Sequence, residues 1–497
     1  MSLDISIRAA QVTDEPGDLL VVGLWAFTLG KKGNYPAPIE VLDKALGGGL
    51  KAALAKEEFT GKRDQSVSVA TLGRIGAPRV VLCGLGDRAG TRDAEARTFA
   101  AKVARMANGD KAKKVVVALP DGLEGKARAL GEGFELGAYR FTKYLTGDRK
   151  PKESLAQVAL LTTKKPLASA KKELTTGQDV AAGVNLARDL SNEPPNKLFP
   201  ATLAQAAVDM AKGKALKVTV FDYKEIQKRG MHLIDAVGRG SVNKPCLVHI
   251  AYVPSKKPKK TIVFVGKGIT FDTGGISIKP AQGMQEMKHD MSGAANVVGL
   301  MQAVAALKPN VAVHGIIAAA ENMPDGDAYR PGDIWGSLDG KSVEIVNTDA
   351  EGRLILADAL AYARELQPDL LVDNATLTGA CVVALGTTCS GYYATDSANS
   401  AFAAALKASG ETMWRMPLLE DLKDQLKSDV ADIKHTGDRW GGSISAALFL
   451  REFIGTTKNW VHVDIAGPAS TERVYGWNGK GATGHGVLTF LNLVSGA

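Results

Sequence analysis

The sequence predicts a two-domain α/β protein: a smaller N-terminal α/β domain and a larger C-terminal α/β domain with a mixed, mostly parallel sheet, joined by a helix. Three observations carry that expectation. A chain of 497 residues exceeds one ordinary core. Short apolar or β-branched runs alternate with stretches of helical period, the pattern of parallel strands and their crossover helices. A lysine-rich interruption at 164–172 breaks the alternation, and the helical stretch after it ends at two prolines, Pro194 and Pro195. The expected parts are therefore residues 1–172, a linker helix and turn at 173–196, and a second domain at 197–497.

In the first part, residues 19–25, 67–72, 80–84 and 115–119 read as strands, and 94–106 and 126–145 as helices. Gly84-Leu85-Gly86 lacks the third glycine and the acidic partner of a dinucleotide fingerprint, so it reads as a turn. Residues 175–190 form the linking helix. In the second part, 218–221, 247–253, 262–266, 313–320 and 370–375 read as strands, with buried helices at 296–307 and 354–366. Lys267 and Asp272 then follow directly on one strand and Thr376 on another. Beyond such carboxyl ends is where open α/β sheets bind ligands.

Composition excludes several classes. Hydrophobic content of 45% with 23% charged residues is that of a soluble globular protein, and no apolar run approaches a membrane span. The N-terminus has no basic segment leading into an apolar one, so a secretory signal is not expected. Cys83, Cys246, Cys381 and Cys389 are too scattered for a disulfide framework or zinc knuckle and read as small buried hydrophobes, in keeping with a reducing cytoplasm. Charge is uneven: residues 1–172 hold 29 Lys and Arg against 19 Asp and Glu, net +10, which leaves −2 for the remainder of a chain of net +8. That excess fits either a solvated basic surface or contact with nucleic acid.

The most informative stretch is Asn347-Thr348-Asp349-Ala350-Glu351-Gly352-Arg353-Leu354, three charges in five residues between two apolar segments. Burying them is costly unless something compensates them. Lys267, Asp272, Lys279 and Asp290 form a second cluster in an equally apolar, Gly-rich setting. Four carboxylates and three cations suit divalent metals and a water nucleophile, or a pair of salt-bridge networks. Asp349 and Glu351, two apart, would point to one side of an extended strand end. Ser292-Gly293 looks like the cap of a helix holding Asp290 at its start. Arg353 could serve as the salt-bridge partner of Asp349 or Glu351. Neither His-Glu-x-x-His nor Gly-x-Ser-x-Gly occurs, which argues against zincins and serine hydrolases.

These segments, with Val265 to Gly275, Met287 to Ala295, Asn322-Met323-Pro324, Arg330-Pro331-Gly332-Asp333, Ala375 to Ala380, Asp464-Ile465-Ala466-Gly467 and Gly481-Ala482-Thr483-Gly484, resemble the leucine aminopeptidase (cytosol aminopeptidase) family of the bacterial leucyl aminopeptidase type. The match runs in order through most of 180–497. The resemblance implies a cytoplasmic metallopeptidase releasing N-terminal, leucine-like residues from peptides, with 197–497 as its catalytic domain. It implies two divalent ions per subunit (Mn²⁺ or Zn²⁺, with Mg²⁺ as an option) held by Lys267, Asp272, Asp290, Asp349 and Glu351, with Asp272 and Glu351 bridging. It assigns Lys279 to the oxyanion, and Arg353 with the amides near Gly352 and Leu354 to a bicarbonate that shuttles the proton. Met287, Thr376, Leu377 and Gly379 would shape the substrate cleft, while His289 lies outside the family ligand set. Assembly would be a homohexamer, and some bacterial members also bind DNA, the alternative role that the basic N-terminal part leaves open. No membrane partner is implied.

Overall fold

The computed structural model describes residues 2–28, 35–89 and 91–497. It forms two compact units, Met1–Ala181 with Val474–Gly479, and Ala182–Arg473 with Lys480–Ala497. The division falls inside one helix, Ala170–Asn192.

The first unit is built on a six-stranded sheet in the order Asp4–Ala9, Gln157–Thr162, Lys114–Ala118, Leu19–Leu24, Arg79–Gly84, Ser66–Ala70. All neighbours are parallel except the Ser66–Ala70 edge. Side chains alternate between its faces. Val21, Val115, Val117 and Leu160 pack with Phe99, Val103, Leu130 and Phe134 of the helices Asp93–Gly109 and Ala127–Ala138. Leu20, Val22, Val80 and Val116 pack with Ile39, Leu42, Leu50 and Leu54 of the helices Ala37–Ala45 and Leu50–Lys56. Covering both faces explains why these strands read as continuous apolar runs. The helix expected at 126–145 stops at Ala138. It crosses its neighbour on glycines: a Cβ on Gly133 would lie 2.3 Å from Arg97 O, and one on Gly137 2.4 Å from Ala101 Cα. Tyr139, Arg140 and Phe141 cannot continue so close an approach, and the chain turns away at Tyr139. Gly84 ends its strand and Gly86 takes a positive φ of 79°, the turn expected there. From the far end of the sequence, Trp477 lies against the Arg97 guanidinium and Arg105 donates to Gly476 O.

The second unit contains an eight-stranded mixed sheet in the order Met413–Arg415, Ser390–Ala394, Trp460–Asp464, Leu370–Ala375, Thr261–Asp272, Ala312–Asn322, Cys246–Tyr252, Lys217–Phe221. Its four central strands are parallel. One face carries the helix Ser292–Leu307 and, at Phe490 against Phe264, the helix Val487–Ser495. On the other, Leu354, Ile355 and Leu356 of the helix Glu351–Arg364 share a core with Val263, Val265, Ile316 and Trp460. Among the described residues no helix is long and apolar enough to cross a membrane. The cysteines are unpaired, with Cys83, Cys246 and Cys381 buried and Cys389 half-buried.

Three local expectations are corrected. Lys267 and Asp272 do not follow a strand but lie within it, because Thr261–Asp272 continues six residues past Gly266. Gly266 and Gly268 allow that continuation: a Cβ on the first would meet Gly293 O and on the second Ala318 O, both at 2.5 Å. Asp349 and Glu351 are not on a strand end. Thr348–Ala350 is a 3-10 turn and Glu351 begins the helix expected to start at Leu354. Ser292 makes no N-cap: its hydroxyl donates back to His289 O at 2.5 Å, and Met291 occupies the cap position.

Candidate metal centre and its cavity

The carboxyl ends of the central strands bring the two charged clusters together. Lys267 comes from the strand Thr261–Asp272, and its ammonium lies 2.8 Å from Asp290 Oδ1, Glu351 Oε1 and Thr376 O. At the end of the same strand, Asp272 Oδ1 accepts from Gly274 N and Asn322 Nδ2, both at 2.9 Å, and Oδ2 pairs with Lys279 Nζ at 2.9 Å. Lys279 also pairs with Asp349 Oδ1. Gly274 and Gly275 make the turn between them, at φ of 87° and 66°, where a side chain on Gly274 would strike Ser277 O and Asp349. Asp290 ends the 3-10 helix Met284–His289, and its Oδ1 also accepts from Thr376 Oγ1 at 2.7 Å. Asn322 and Tyr329 both donate to Thr348 O, at 3.0 and 2.7 Å, which pins the turn that carries Asp349 into Glu351.

Asp272, Asp290 and Glu351 are buried, and each presents an oxygen within 4.8 Å of the others. Asp349 stands outside this triad, across Lys279. Buried Asp290 Oδ2 and Glu351 Oε2 have no hydrogen-bond partner. The electrostatics are those of crowded anions. Burial and the neighbouring Glu351 charge raise the Asp272 pKa to about 6, against the pull of Lys279 and Lys267. Burial raises Asp290 well above the usual carboxylate range, whereas for Glu351 the two lysines outweigh burial and hold it low. Burial opposes the Lys267 ammonium, but Asp290, Glu351 and Asp272 overcome it and raise its pKa; Asp272 and Glu351 do the same for Lys279. Orphaned, hard oxygen donors gathered this tightly fit divalent cations.

Arg353 is buried two residues beyond Glu351. Its Nη1 donates to His435 O at 2.9 Å and its Nε has no partner. It forms no ion pair with Asp349 or Glu351, which sets aside the salt-bridge reading. Burial lowers its pKa to about 10, so it remains a cation at neutral pH. Gly352 and Leu354 lie in the first turn of its helix. A Cβ on Gly352 would sit 2.6–2.7 Å from the last three atoms of Lys267, so this glycine is the slot through which the lysine reaches the carboxylates.

A cavity of about 370 Å³ opens on the cluster. Met287, Thr376, Leu377 and Gly379 all line it, with Val382, Ala466 and Ala469. His289 reaches its edge but is buried, bonded to Ser191 Oγ at 3.1 Å, and held neutral by burial with a pKa of about 4. Sequence reasoning missed three supporting residues: Asn322, which orients Asp272; His435, which fixes Arg353; and Asp464, which accepts from Leu377 N and Thr378. Asn322 and Asp464 lie in segments that carry the family resemblance, yet a single polar residue at a strand end carries no signal of its role.

Comparison with known proteins identifies the family. Residues 185–491 match the catalytic domain of the cytosol aminopeptidase family, and residues 21–148 match the N-terminal domain of the same family. The chain is 43% identical to a probable cytosol aminopeptidase of Aquifex aeolicus over 92% of each chain, and 39% identical to one of Alkaliphilus oremlandii over 99% of each. Among solved structures, a tomato leucine aminopeptidase mutant superposes with a TM-score of 0.91 at 34% identity, covering 100% of this chain and 97% of that one. The bottromycin maturation enzyme BotP in complex with Mn gives 0.83 at 33% identity, covering 96% and 99%. With both of its domains matched and its buried carboxylates gathered for metal, the chain belongs to the cytosol aminopeptidase family and is a metal-dependent aminopeptidase acting on peptides.

Proposed function

We propose that the enzyme releases N-terminal residues, leucine-like ones preferred, from peptides at a dinuclear metal centre. The observation that carries this reading is the triad of Asp272, Asp290 and Glu351, with oxygens within 4.8 Å of one another and two of them unpartnered. Asp272 and Glu351 would bridge, Asp290 would serve one ion and Asp349 the other, and Lys267 would complete the set as a neutral amine. When bound, the two dications supply an acidified water, a polarised scissile carbonyl and an environment that deprotonates Lys267. Mn²⁺, Zn²⁺ and Mg²⁺ all suit oxygen-rich ligation, and the Mn complex of BotP supports the first.

The chain's own residues do the remainder. Lys279, held charged by Asp272 and Glu351, is an electrostatic partner for the developing oxyanion and not a base. Arg353, cationic and with an unpartnered Nε, would hold bicarbonate together with the amides of Gly352 and Leu354. That anion would supply the proton acceptor. Met287, Thr376, Leu377 and Gly379 would receive the substrate's first side chain. We further propose a cytoplasmic homohexamer, with 1–172 serving assembly or nucleic-acid contact, 173–196 as linker and 197–497 as the catalytic domain.

Metal content measured alongside hydrolysis of leucine p-nitroanilide, with and without chelator, tests the centre. Two ions per chain and chelator-sensitive turnover are expected; full activity in a metal-free protein would refute it. Light scattering at about six times the 52.3 kDa chain mass tests the assembly. A second role in DNA binding is favoured only by the net +10 of residues 1–172. Duplex-DNA shift assays at graded salt separate it from a merely basic surface.

A further inference from the structure

Asp464 ends the strand Trp460–Asp464 and is fully buried, with no cation in salt-bridge contact among the described residues. Its charge is instead held by donors from two segments. Oδ1 accepts from Leu377 N at 3.1 Å, Thr378 N at 3.4 Å and Ala466 N at 3.2 Å. Oδ2 accepts from Thr378 Oγ1 at 2.6 Å. The Thr378 hydroxyl is thereby used in both senses, since it also accepts from Cys381 N at 3.1 Å as the cap of the helix Gly379–Leu385.

Both segments contribute to the cavity lining. One presents Leu377, Gly379 and Val382, the other Ala466 and Ala469. Four of these five carry the larger or smaller apolar groups that a substrate side chain would meet. None of them is hydrogen-bonded to the carboxylate cluster. Among the described residues, the hydrogen bonds that tie the cluster to this wall run through Thr376, by its carbonyl to Lys267 and its hydroxyl to Asp290. The two segments leave paired strands, with Ile465 N donating to Ala375 O at 2.8 Å, and beyond that last ladder bond both meet one carboxylate. Charge-assisted bonds from backbone amides are among the strongest such ties.

We propose that Asp464 is a positioning residue that determines which substrate side chain the cavity accepts, by fixing its two wall segments to a single carboxylate. It does not touch the reacting atoms. The proposal rests on the reading of this cavity as the peptide site. In Asp464→Asn the amide nitrogen would face a Thr378 hydroxyl that already accepts from Cys381 N, leaving the hydroxyl proton without an acceptor. Thr378→Val removes the same bond and keeps the side-chain shape.

The experiment compares the metal-loaded enzyme with Thr378→Val, Thr378→Ser and Asp464→Asn. The readouts are kcat and KM on leucine and alanine p-nitroanilides, metal content and melting temperature. In Thr378→Val and Asp464→Asn the leucine-to-alanine ratio of kcat/KM should fall by about 10-fold, the scale at which apolar pockets discriminate. The change should appear mainly in KM for the leucine substrate, with metal content unchanged, and Thr378→Ser should restore the ratio. An unchanged ratio in Thr378→Val, whatever happens to its melting temperature, overturns the proposal even if Asp464→Asn fails to fold. Loss of metal in Thr378→Val also overturns it, because the tie would then serve Asp290 through Thr376. A wild-type enzyme that hydrolyses neither substrate refutes the peptide-site reading itself, and this proposal with it.

Discussion

Replacing Gly352 with alanine adds one methyl group, and the structure says where it goes. The new Cβ would lie 2.6 Å from Lys267 Cε and 2.7 Å from both Cδ and Nζ. Ordinary carbon contacts begin near ~3.5 Å, so the lysine tip must retreat by about 1 Å. A free lysine would do so at little cost, but this one is fixed by Asp290, Glu351 and Thr376 at 2.8 Å each. Global stability should barely register the change. In the first turn of its helix alanine gains at most the helix-interior value of about 1 kcal/mol over glycine, and local overpacking costs about 1–3 kcal/mol, so the melting temperature should move by only about 5 °C or less. Function should change far more, because displacing an active-site group by about 1 Å costs on the order of 10²-fold in rate. The assay pairs calorimetry with kcat/KM and bound metal per chain. A Gly352→Ala enzyme that melts normally and keeps both full metal and full turnover would refute the idea that the glycine is a passage for Lys267.

Asp272→Ala and Glu351→Ala should each abolish turnover and lower bound metal together; either variant with two ions and normal kcat removes the bridging assignment. Lys279→Ala should lower kcat by ~10²–10³ with KM and metal content nearly unchanged, whereas a loss expressed only in KM would make Lys279 a substrate-binding group. Arg353→Ala should be slowed by ~10²–10⁴ and, unlike degassed wild type, fail to respond to added bicarbonate; bicarbonate-sensitive activity at full strength places the anion elsewhere. Burial, helped by the nearby Arg353, lowers the His435 pKa from 6.5 to about 4. The unfolded chain therefore takes up that proton first, so stability is complete above pH 6.5 and declines as pH falls toward 4, by up to about 3 kcal/mol for this group. Urea unfolding of wild type and His435→Gln across that window should give the variant the shallower slope, and equal slopes would assign the acid sensitivity to other groups.

The charged residues at the site were legible because their cost made them conspicuous: Lys267, Asp272, Asp290 and Glu351 stand in apolar, Gly-rich sequence where only compensation explains them. Their backbone setting was not legible. Periodicity ended the strand at Gly266, since Lys267 breaks the apolar run, yet ladder pairing with Ala312–Asn322 carries it on to Asp272. The spacing of Asp349 and Glu351 suggested extended chain, while bonds from Asn322 and Tyr329, distant in sequence, impose a 3-10 turn. Asp464 escaped notice for a related reason, because its importance lies in donors from residues 377 and 378, and one sequence does not reveal that meeting. The edge strand Asp4–Ala9 was missed through its charges, and the association of Val474–Gly479 with the N-terminal unit has no local signature at all.

Except at Met287, the apolar cavity wall and the carboxylate cluster are carried on separate stretches of chain, and this has a bearing on how the enzyme can be altered. Leu377, Val382, Ala466 and Ala469 line the cavity with apolar side chains that make no hydrogen bond to the carboxylates, so a library that varies them should explore new substrate preferences while the hydrolytic centre stays assembled. The opposite holds where a helix meets the sheet and where two helices cross. Gly266 against Gly293, and Gly183 against Gly299, are contacts of bare backbone at which any added carbon would come within 2.5 Å of a carbonyl oxygen. Diversity is thus affordable at the mouth and forbidden at the seams, which lets one scaffold be retuned for different amino termini without relearning how to fold.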